Sequence, residues 1–273
     1  MSYKKNIILS IILFVFAIIM LFPIFWTITT SLKTSSEIQN PEITIMPDNY
    51  DNVENYMKVI EENNFLTMVW NSIKLCLITL LFTVFLSALA GYGFAKFDFR
   101  FKEALYFINI GVLMVPFQSV AVPLYKTFNA VGLNDTFIGL ALPLLVSAFG
   151  IVIMRESISA IPNDYISAAR LDGLSELGIF FKIILPMVKP AIVAIVIIKF
   201  MLTWNELLWP LIIIESTKNY TVTLGLAEMT NIYMNPYETI TAALTISLAP
   251  IFVIYILLRK WMIKTLSGTG LKI

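Results

Sequence analysis

The chain contains no histidine. That excludes imidazole zinc sites and nucleophilic machinery of the Ser-His or Cys-His kind. Its one cysteine, Cys76, has no partner for an intrachain disulfide, and its place in an apolar run reads as a small core residue. Charge is scarce: 14% of residues are charged and the net charge is +1. With no basic cluster to displace counterions from a phosphate backbone, no nucleic-acid partner is expected. No G-x-x-x-x-G-K-[ST] segment occurs, and SGTGLK near the end is not one, so the chain brings no P-loop of its own for ATP. Internal repeats and low-complexity tracts are also missing. These absences argue against an enzyme.

What the chain has is apolar residues, at 58% of its length. Soluble domains hold about 45–50% apolar and about 25% charged residues, so a membrane protein is predicted. Six apolar runs lie at about 7–29, 72–94, 104–125, 136–154, 191–214 and 239–261. Crossing a hydrocarbon core about 30 Å thick takes roughly 20 helical residues, which each run supplies. The expected fold is all-α and integral to the membrane: a bundle of six transmembrane helices in a single domain, 1–273. The first run follows Lys4 and Lys5. It is too long for the apolar part of a signal peptide and has no A-x-A-like cleavage site, so it reads as a retained span.

Lys and Arg counts set the expected orientation. Thirteen fall in one set of connecting segments (Lys4, Lys5, Lys96, Arg100, Lys102, Arg155, Arg170, Lys182, Lys189, Arg259, Lys260, Lys264 and Lys272). Five fall in the other (Lys33, Lys58, Lys74, Lys126 and Lys218). Both termini and the polar stretch at about 155–190 are therefore expected in the cytoplasm. Segment 30–71 is expected outside as a small acidic cap, carrying Glu37, Glu42, Asp48, Asp51, Glu54, Glu61 and Glu62. Tyr50, Val53, Tyr56, Met57 and Ile60 give its second part an apolar stripe at helical spacing.

Prolines 23, 116, 123, 143, 210 and 250 interrupt the spans, which membrane helices tolerate where neighbours or water satisfy the freed carbonyl. Gln118 lies between two of them. The fifth run carries Lys199 near its middle and Asn205 and Glu206 toward one end. Charge at that depth marks a pathway residue or a structural tie to a partner's polar group. Lys199 and Glu206, seven apart, are expected on one helix face without direct contact. Trp204 and Trp209 read as interfacial anchors.

Residues 162–190, PNDYISAARLDGLSELGIFFKIILPMVKP, read as two short helices flanking a glycine. Pro162 and Asp164 suit a first turn, Gly173 a C-terminal cap, Ser175 and Glu176 a second start, and Pro186 a second end. Such a pair between spans is either a docking surface or a connector lying on the bilayer.

Ser167-Ala168-Ala169, three residues, Gly173, nine residues, Ile183, one residue, Leu185-Pro186 resembles the cytoplasmic E-A-A-x3-G-x9-I-x-L-P loop of ABC importer permeases. AARLDGLSELGIFFKIILPMVKPA, WNELLWPLI, YGFAKFDFRFKEALY, VPFQSVAVPLY and GLNDTFIGLALP are similar to segments of the maltose-type second permease among the carbohydrate permeases. The resemblance spans essentially the whole chain. It implies one half of a translocation pore in a bacterial or archaeal cell membrane. The implied partners are a second permease subunit, two copies of an ATP-binding subunit and an extracytoplasmic solute-binding protein. ATP and Mg would be used by the separate ATPase, and this chain would hold no cofactor.

The resemblance assigns ATPase coupling to Ser167, Ala168, Ala169, Arg170, Asp172 and Gly173. Gln118, Lys199, Asn205 and Glu206 are candidates along the solute pathway. Ser167 stands where the family pattern has glutamate, and the C-terminal tail only loosely matches the family's glycine-rich one. The competing expectation is an ion-gradient-driven carrier or channel using Lys199 and Glu206. A membrane enzyme is the remaining alternative.

Overall fold

The computed structural model describes residues 2–42, 44–61, 64–231 and 236–268. Glu62, Lys272 and the tail from 269 onward lie outside them. Every regular element among the described residues is helical. Three helices are long and apolar enough to cross a bilayer unaided, over Ile7–Ser31, Phe65–Lys96 and Tyr237–Lys260. Three further stretches reach that length only as bent pairs: Lys102–Val112 with Phe117–Ala130 at 99°, Phe137–Leu144 with Ala148–Ser159 at 41°, and Glu176–Met187 with Lys189–Trp204 at 77°. Five of the six apolar runs coincide with one of these stretches; the fifth, expected at about 191–214, coincides only with Lys189–Trp204, while Glu176–Met187 falls in the polar loop and Leu208–Ile213 forms a separate short helix. Interruptions the sequence placed at prolines become real breaks in only part of the set. Pro23, Pro123 and Pro250 ride inside continuous helices.

The chain divides into two compact units, 1–69 with 225–250, and 70–224 with 251–273. The first is built on α1 (Ser2–Ser31), whose residues from Ile7 to Phe22 are almost all exposed, as expected of a helix facing lipid. At its end lie two short helices, α2 (Ser35–Gln39) and α3 (Glu54–Glu61). Thr34 and Glu37 close a capping box on α2, satisfying two orphan amides. Asn55 donates to the carbonyls of Ser31 and Lys33, both at 2.8 Å, and Tyr56 Oη lies 2.6 Å from Ser31 Oγ. The buried face of α3 is thus Asn55 and Val59; Tyr50, Val53 and Met57 of the expected stripe are exposed. Polar ties to the end of α1, more than an apolar stripe, seat this helix. Residues 65–71, counted with the cap from sequence, already belong to α4 (Phe65–Lys96).

In the second unit α4 continues as the central element. Successive helices are α5 (Lys102–Val112), α6 (Phe117–Ala130), α7 (Phe137–Ala141), α8 (Ala148–Ser159), α9 (Asn163–Leu171), α10 (Glu176–Ile179), α11 (Leu185–Met187), α12 (Lys189–Trp204) and α13 (Leu208–Ile213). After them come α14 (Val222–Asn231) and α15 (Tyr237–Gly268), which begin in one unit and end in the other. α4 and α8 pack backbone to backbone. A Cβ on Gly91 would meet Met154 Cβ at 2.5 Å and the Arg155 amide at 2.8 Å, and one on Gly150 would meet Ser87 Oγ at 2.4 Å. Only glycine permits that approach.

One core joins Ala88, Tyr92, Met154, Ile158, Ile166, Ala169, Ile179, Phe180, Ile184 and Ile195; another is centred on Trp209 with Leu75, Phe128, Leu140 and Ile213. Trp209 is fully buried, its indole N–H donating to the Gly139 carbonyl at 3.1 Å and its ring edge-on to Phe117 and Phe128. Trp204 is 3% exposed and stacked on Phe200. Both expected interfacial anchors are therefore core residues. Each has an apolar body satisfied by other rings, and Trp209 finds an internal acceptor for its N–H.

Candidate functional site

The polar loop folds much as its sequence pattern indicates. α9 starts after Pro162 with Asp164 in its first turn, favourable to the positive end of the helix dipole. At its other end the Leu174 amide donates to the Ala169 carbonyl and the Gly173 amide to the Arg170 carbonyl, both at 3.0 Å. That bond pair is a Schellman closure and requires a left-handed residue at Gly173, which has φ +81°. A Cβ there would meet nothing within 4 Å, so conformation and not space selects glycine. Ser175 Oγ then accepts the Gly178 amide at 3.2 Å, capping α10. The second helix does not stop at Pro186. It passes through a π-helical turn at Phe180–Ile184 and on to Met187 before the 77° bend into α12. Pro186 sits at the second position of α11, directly after that wider turn.

The residues of the spaced motif face two ways. Ile166 and Ala169, each 3% exposed, join the core with Ile158, Ile179 and Phe180. Ser167, Ala168, Asp172 and Gly173 are exposed, and Leu171 beside them is 90% exposed. The residues that the family resemblance assigns to coupling do not include Leu171; an apolar residue at a helix end directly before Asp-Gly is the signal for it. Arg170 does not extend freely from the loop. Its Nε donates to Glu176 Oε1 at 2.7 Å, and Tyr92 Oη donates to Glu176 Oε2 at 2.9 Å. The Arg170 guanidinium holds the Glu176 carboxyl below the usual carboxylate range, against partial burial and with help from Tyr92. One turn along α4, Lys96 Nζ donates to the Ile161 carbonyl and, at 2.8 Å, to Asn163 Oδ1. Tyr92 and Lys96 lie four apart on one helix face. α4 thus grips the start of α9 and the start of α10, and the turn with its exposed face projects between those grips.

The four pathway candidates are only partly brought together. α12 ends at Trp204, so Lys199 and Glu206 do not share a helix as expected. Asn205 is the C-cap and donates to the Met201 carbonyl at 2.8 Å, while Glu206 Oε1 accepts the Trp209 amide, in the first turn of α13, at 3.1 Å. Both sit in the break between two helices, where freed backbone groups and polar side chains coincide. Lys199 is partly buried on α12, and among the described residues no ion pair joins it to Glu206. Gln118 is exposed in the first turn of α6, just past the 99° bend. Among the described residues no group of three or more Cys, Asp or Glu side chains is placed to hold a metal.

A second polar knot had no signal in composition or spacing. Asp135, at φ +51°, accepts the Glu215 amide at 3.1 Å and the Ser216 amide at 3.0 Å through Oδ1, and the Ser216 hydroxyl donates to Oδ2. Asn219 Nδ2 donates to the Asp135 carbonyl at 2.8 Å. The Ser216 hydroxyl, followed by these amides, holds the Asp135 carboxyl well below the usual carboxylate range although partial burial opposes it. The knot ties the α6–α7 connection to the α13–α14 connection.

Residues 83–268 match the family described as binding-protein-dependent transport system inner membrane component. The chain is 31% identical over 266 residues to the arabinooligosaccharides transport system permease protein AraQ of Bacillus subtilis, covering 97% of this chain and 95% of that protein. It is 31% identical over 253 residues to the lactose transport system permease protein LacG of Rhizobium radiobacter, covering 93% and 92%. It is 28% identical over 274 residues to the sn-glycerol-3-phosphate transport system permease protein UgpE of Brucella abortus, covering 97% of each. Among solved structures it is similar, with a TM-score of 0.82 and 21% identity, to a chain of a bacterial ABC transporter involved in the import of the acidic polysaccharide alginate, covering 94% of this chain and 96% of that one.

Proposed function

This chain belongs to the binding-protein-dependent transport system inner membrane components, and from that membership we propose that it forms half of the translocation pore of a carbohydrate ABC importer. The family is one of transport components, which sets aside the ion-driven carrier built on Lys199 and Glu206 and the membrane enzyme. A carbohydrate solute is supported by relatives named for arabinooligosaccharide and lactose transport. We read one span on each of the six apolar runs, with Glu176–Met187 left in the loop and not in the fifth span, in a single permease domain whose extracytoplasmic cap, about 30–71 by sequence, ends where α4 begins at Phe65. The Lys/Arg bias puts both termini and the 155–190 loop in the cytoplasm of a bacterial or archaeal cell.

Coupling runs through the loop. Its Schellman-closed turn, held at both ends by α4, carries the proposal: a rigid projecting element transmits displacement, where a slack connector would absorb it. Ser167, Ala168, Leu171, Asp172 and Gly173 form the face that docks on the ATPase, while Ala169 and Arg170 hold that face to the chain. Two ATP-binding subunits, using ATP and Mg, close and move the loop; this chain and a second permease rock between inward-open and outward-open states. Gln118, Lys199, Asn205 and Glu206 line the path of a solute released by the binding protein.

Proteoliposomes holding this chain alone, and the same with the second permease, the ATPase and the solute-loaded binding protein outside, separate the readings. Solute uptake is expected only in the complete assembly with internal ATP. Uptake by the chain alone under an ion gradient would refute the proposal.

A further inference from the structure

A cleft of about 180 Å3 lies at the corner between α1 and α2, within the first unit. Its lining includes Trp26, Thr30, Lys33, Glu37, Glu42 and Tyr237. Thr30 is 3% exposed and its Oγ1 has no hydrogen-bond partner. A helical threonine ordinarily bonds the carbonyl three or four residues back, but Thr29 already donates to the Trp26 carbonyl at 3.0 Å. Buried hydroxyls are rarely left unpaired, so this one points to a missing partner. Lys33, 4% exposed, gives one N–H to the Thr44 carbonyl and stands 5.3 Å from the Trp26 ring centroid. An ammonium has three N–H groups, so donors remain for a ligand. Glu37 is occupied, its two oxygens accepting the Asp48 amide at 2.7 Å and the Thr34 amide at 2.6 Å.

Two aromatic rings, a buried hydroxyl, a buried ammonium and a carboxylate around a small opening are the chemistry that receives a hydroxylated ring: an apolar face for stacking and paired donors and acceptors for its hydroxyls. Size limits the occupant to one ring: about 180 Å3 is little more than the roughly 150 Å3 that receives one benzene, so a single sugar fills this open cleft and stands partly out of its mouth. Charge limits it further. Glu37 and Glu42 outnumber Lys33, so a phosphorylated or carboxylated sugar is repelled.

We propose that this cleft is a binding site for a single neutral monosaccharide unit. It rests on the carbohydrate reading above, but it is tested by binding to this chain and not by transport. The full chain in nanodiscs is titrated with D-glucose, D-galactose and L-arabinose, then with glucuronate and glucose 6-phosphate, following tryptophan fluorescence and saturation-transfer NMR. At least one neutral sugar is expected to bind saturably. Thr30→Val weakens it about fivefold, the loss of one hydrogen bond; Thr30→Ser restores it, Trp26→Leu abolishes it, and the two anions do not bind. The site is overturned if no neutral sugar saturates, if Thr30→Val and Trp26→Leu bind as wild type, or if the anions bind equally well. Failure of the assembled complex to import, with neutral-sugar binding intact, would sink the import reading and leave the cleft standing.

Discussion

Replacing Leu171 by alanine isolates docking from folding. Its side chain is 90% exposed at the end of α9, so almost all of its apolar surface remains to be buried by a partner. Fully burying a leucine side chain is worth about 1.5–3 kcal/mol. In the free chain the same truncation removes almost no contact, and surface changes of that kind stay within about 0.5 kcal/mol. The difference appears as affinity: at about 1.4 kcal/mol per tenfold, the ATPase subunits should bind the Leu171→Ala permease roughly 10- to 100-fold more weakly. The assay is titration of purified ATPase onto the permease pair in nanodiscs, with thermal unfolding of the free permease measured alongside. Ala168→Glu on the same face should also weaken binding without unfolding the chain. Ala169→Glu should unfold it, because Ala169 is buried in the chain's own core. Unchanged ATPase affinity in Leu171→Ala, or an equal loss of stability in the free chain, would refute the assignment of this face.

Gly173 tests the turn beneath that face. A left-handed conformation costs a non-glycine residue about 1–2 kcal/mol, and no clash adds to it here. Gly173→Asn should therefore keep most solute transported per ATP, with Gly173→Ala lower and Gly173→Val lowest, at equal membrane levels. Asp135 gives the fold an acid limit. Its carboxyl is depressed in the folded state, so its stabilisation is complete above the unfolded value of about 4 and is lost as pH falls toward the folded one. Thermal midpoints should drop below about pH 4 in wild type and less steeply in Asp135→Asn. Trp209→Phe leaves the Gly139 carbonyl without its donor and should cost about 1–3 kcal/mol in thermal stability; an interfacial anchor would lose far less.

The six apolar runs are legible because burial in lipid demands length and hydrophobicity, and both are read directly from residues. The helix breaks are legible only in part, at Pro116 and Pro143, because proline marks a break only where tertiary structure permits one. Pro123 lies inside α6 while the neighbouring break comes between Val112 and Phe117, and the break after Trp204 has no proline or glycine in it. The turn at Gly173 is visible from sequence because a left-handed cap demands glycine. The Arg170–Glu176–Tyr92 chain is not, since it joins two helices and a distant third whose approach no spacing encodes. Trp209 misled for the same reason: an aromatic residue near a span end reads as interfacial until its acceptor, seventy residues away, is placed beside it.

The central claim is that this chain couples a solute-loaded receptor to a separate ATPase. The direct measurement is ATP hydrolysis by the purified four-subunit assembly in nanodiscs, with the binding protein added empty and then loaded with its sugar. The account predicts stimulation by the loaded protein and its loss when the 162–190 turn carries Gly173→Val. Hydrolysis indifferent to the loaded protein, or stimulation unaffected by that substitution, would contradict it.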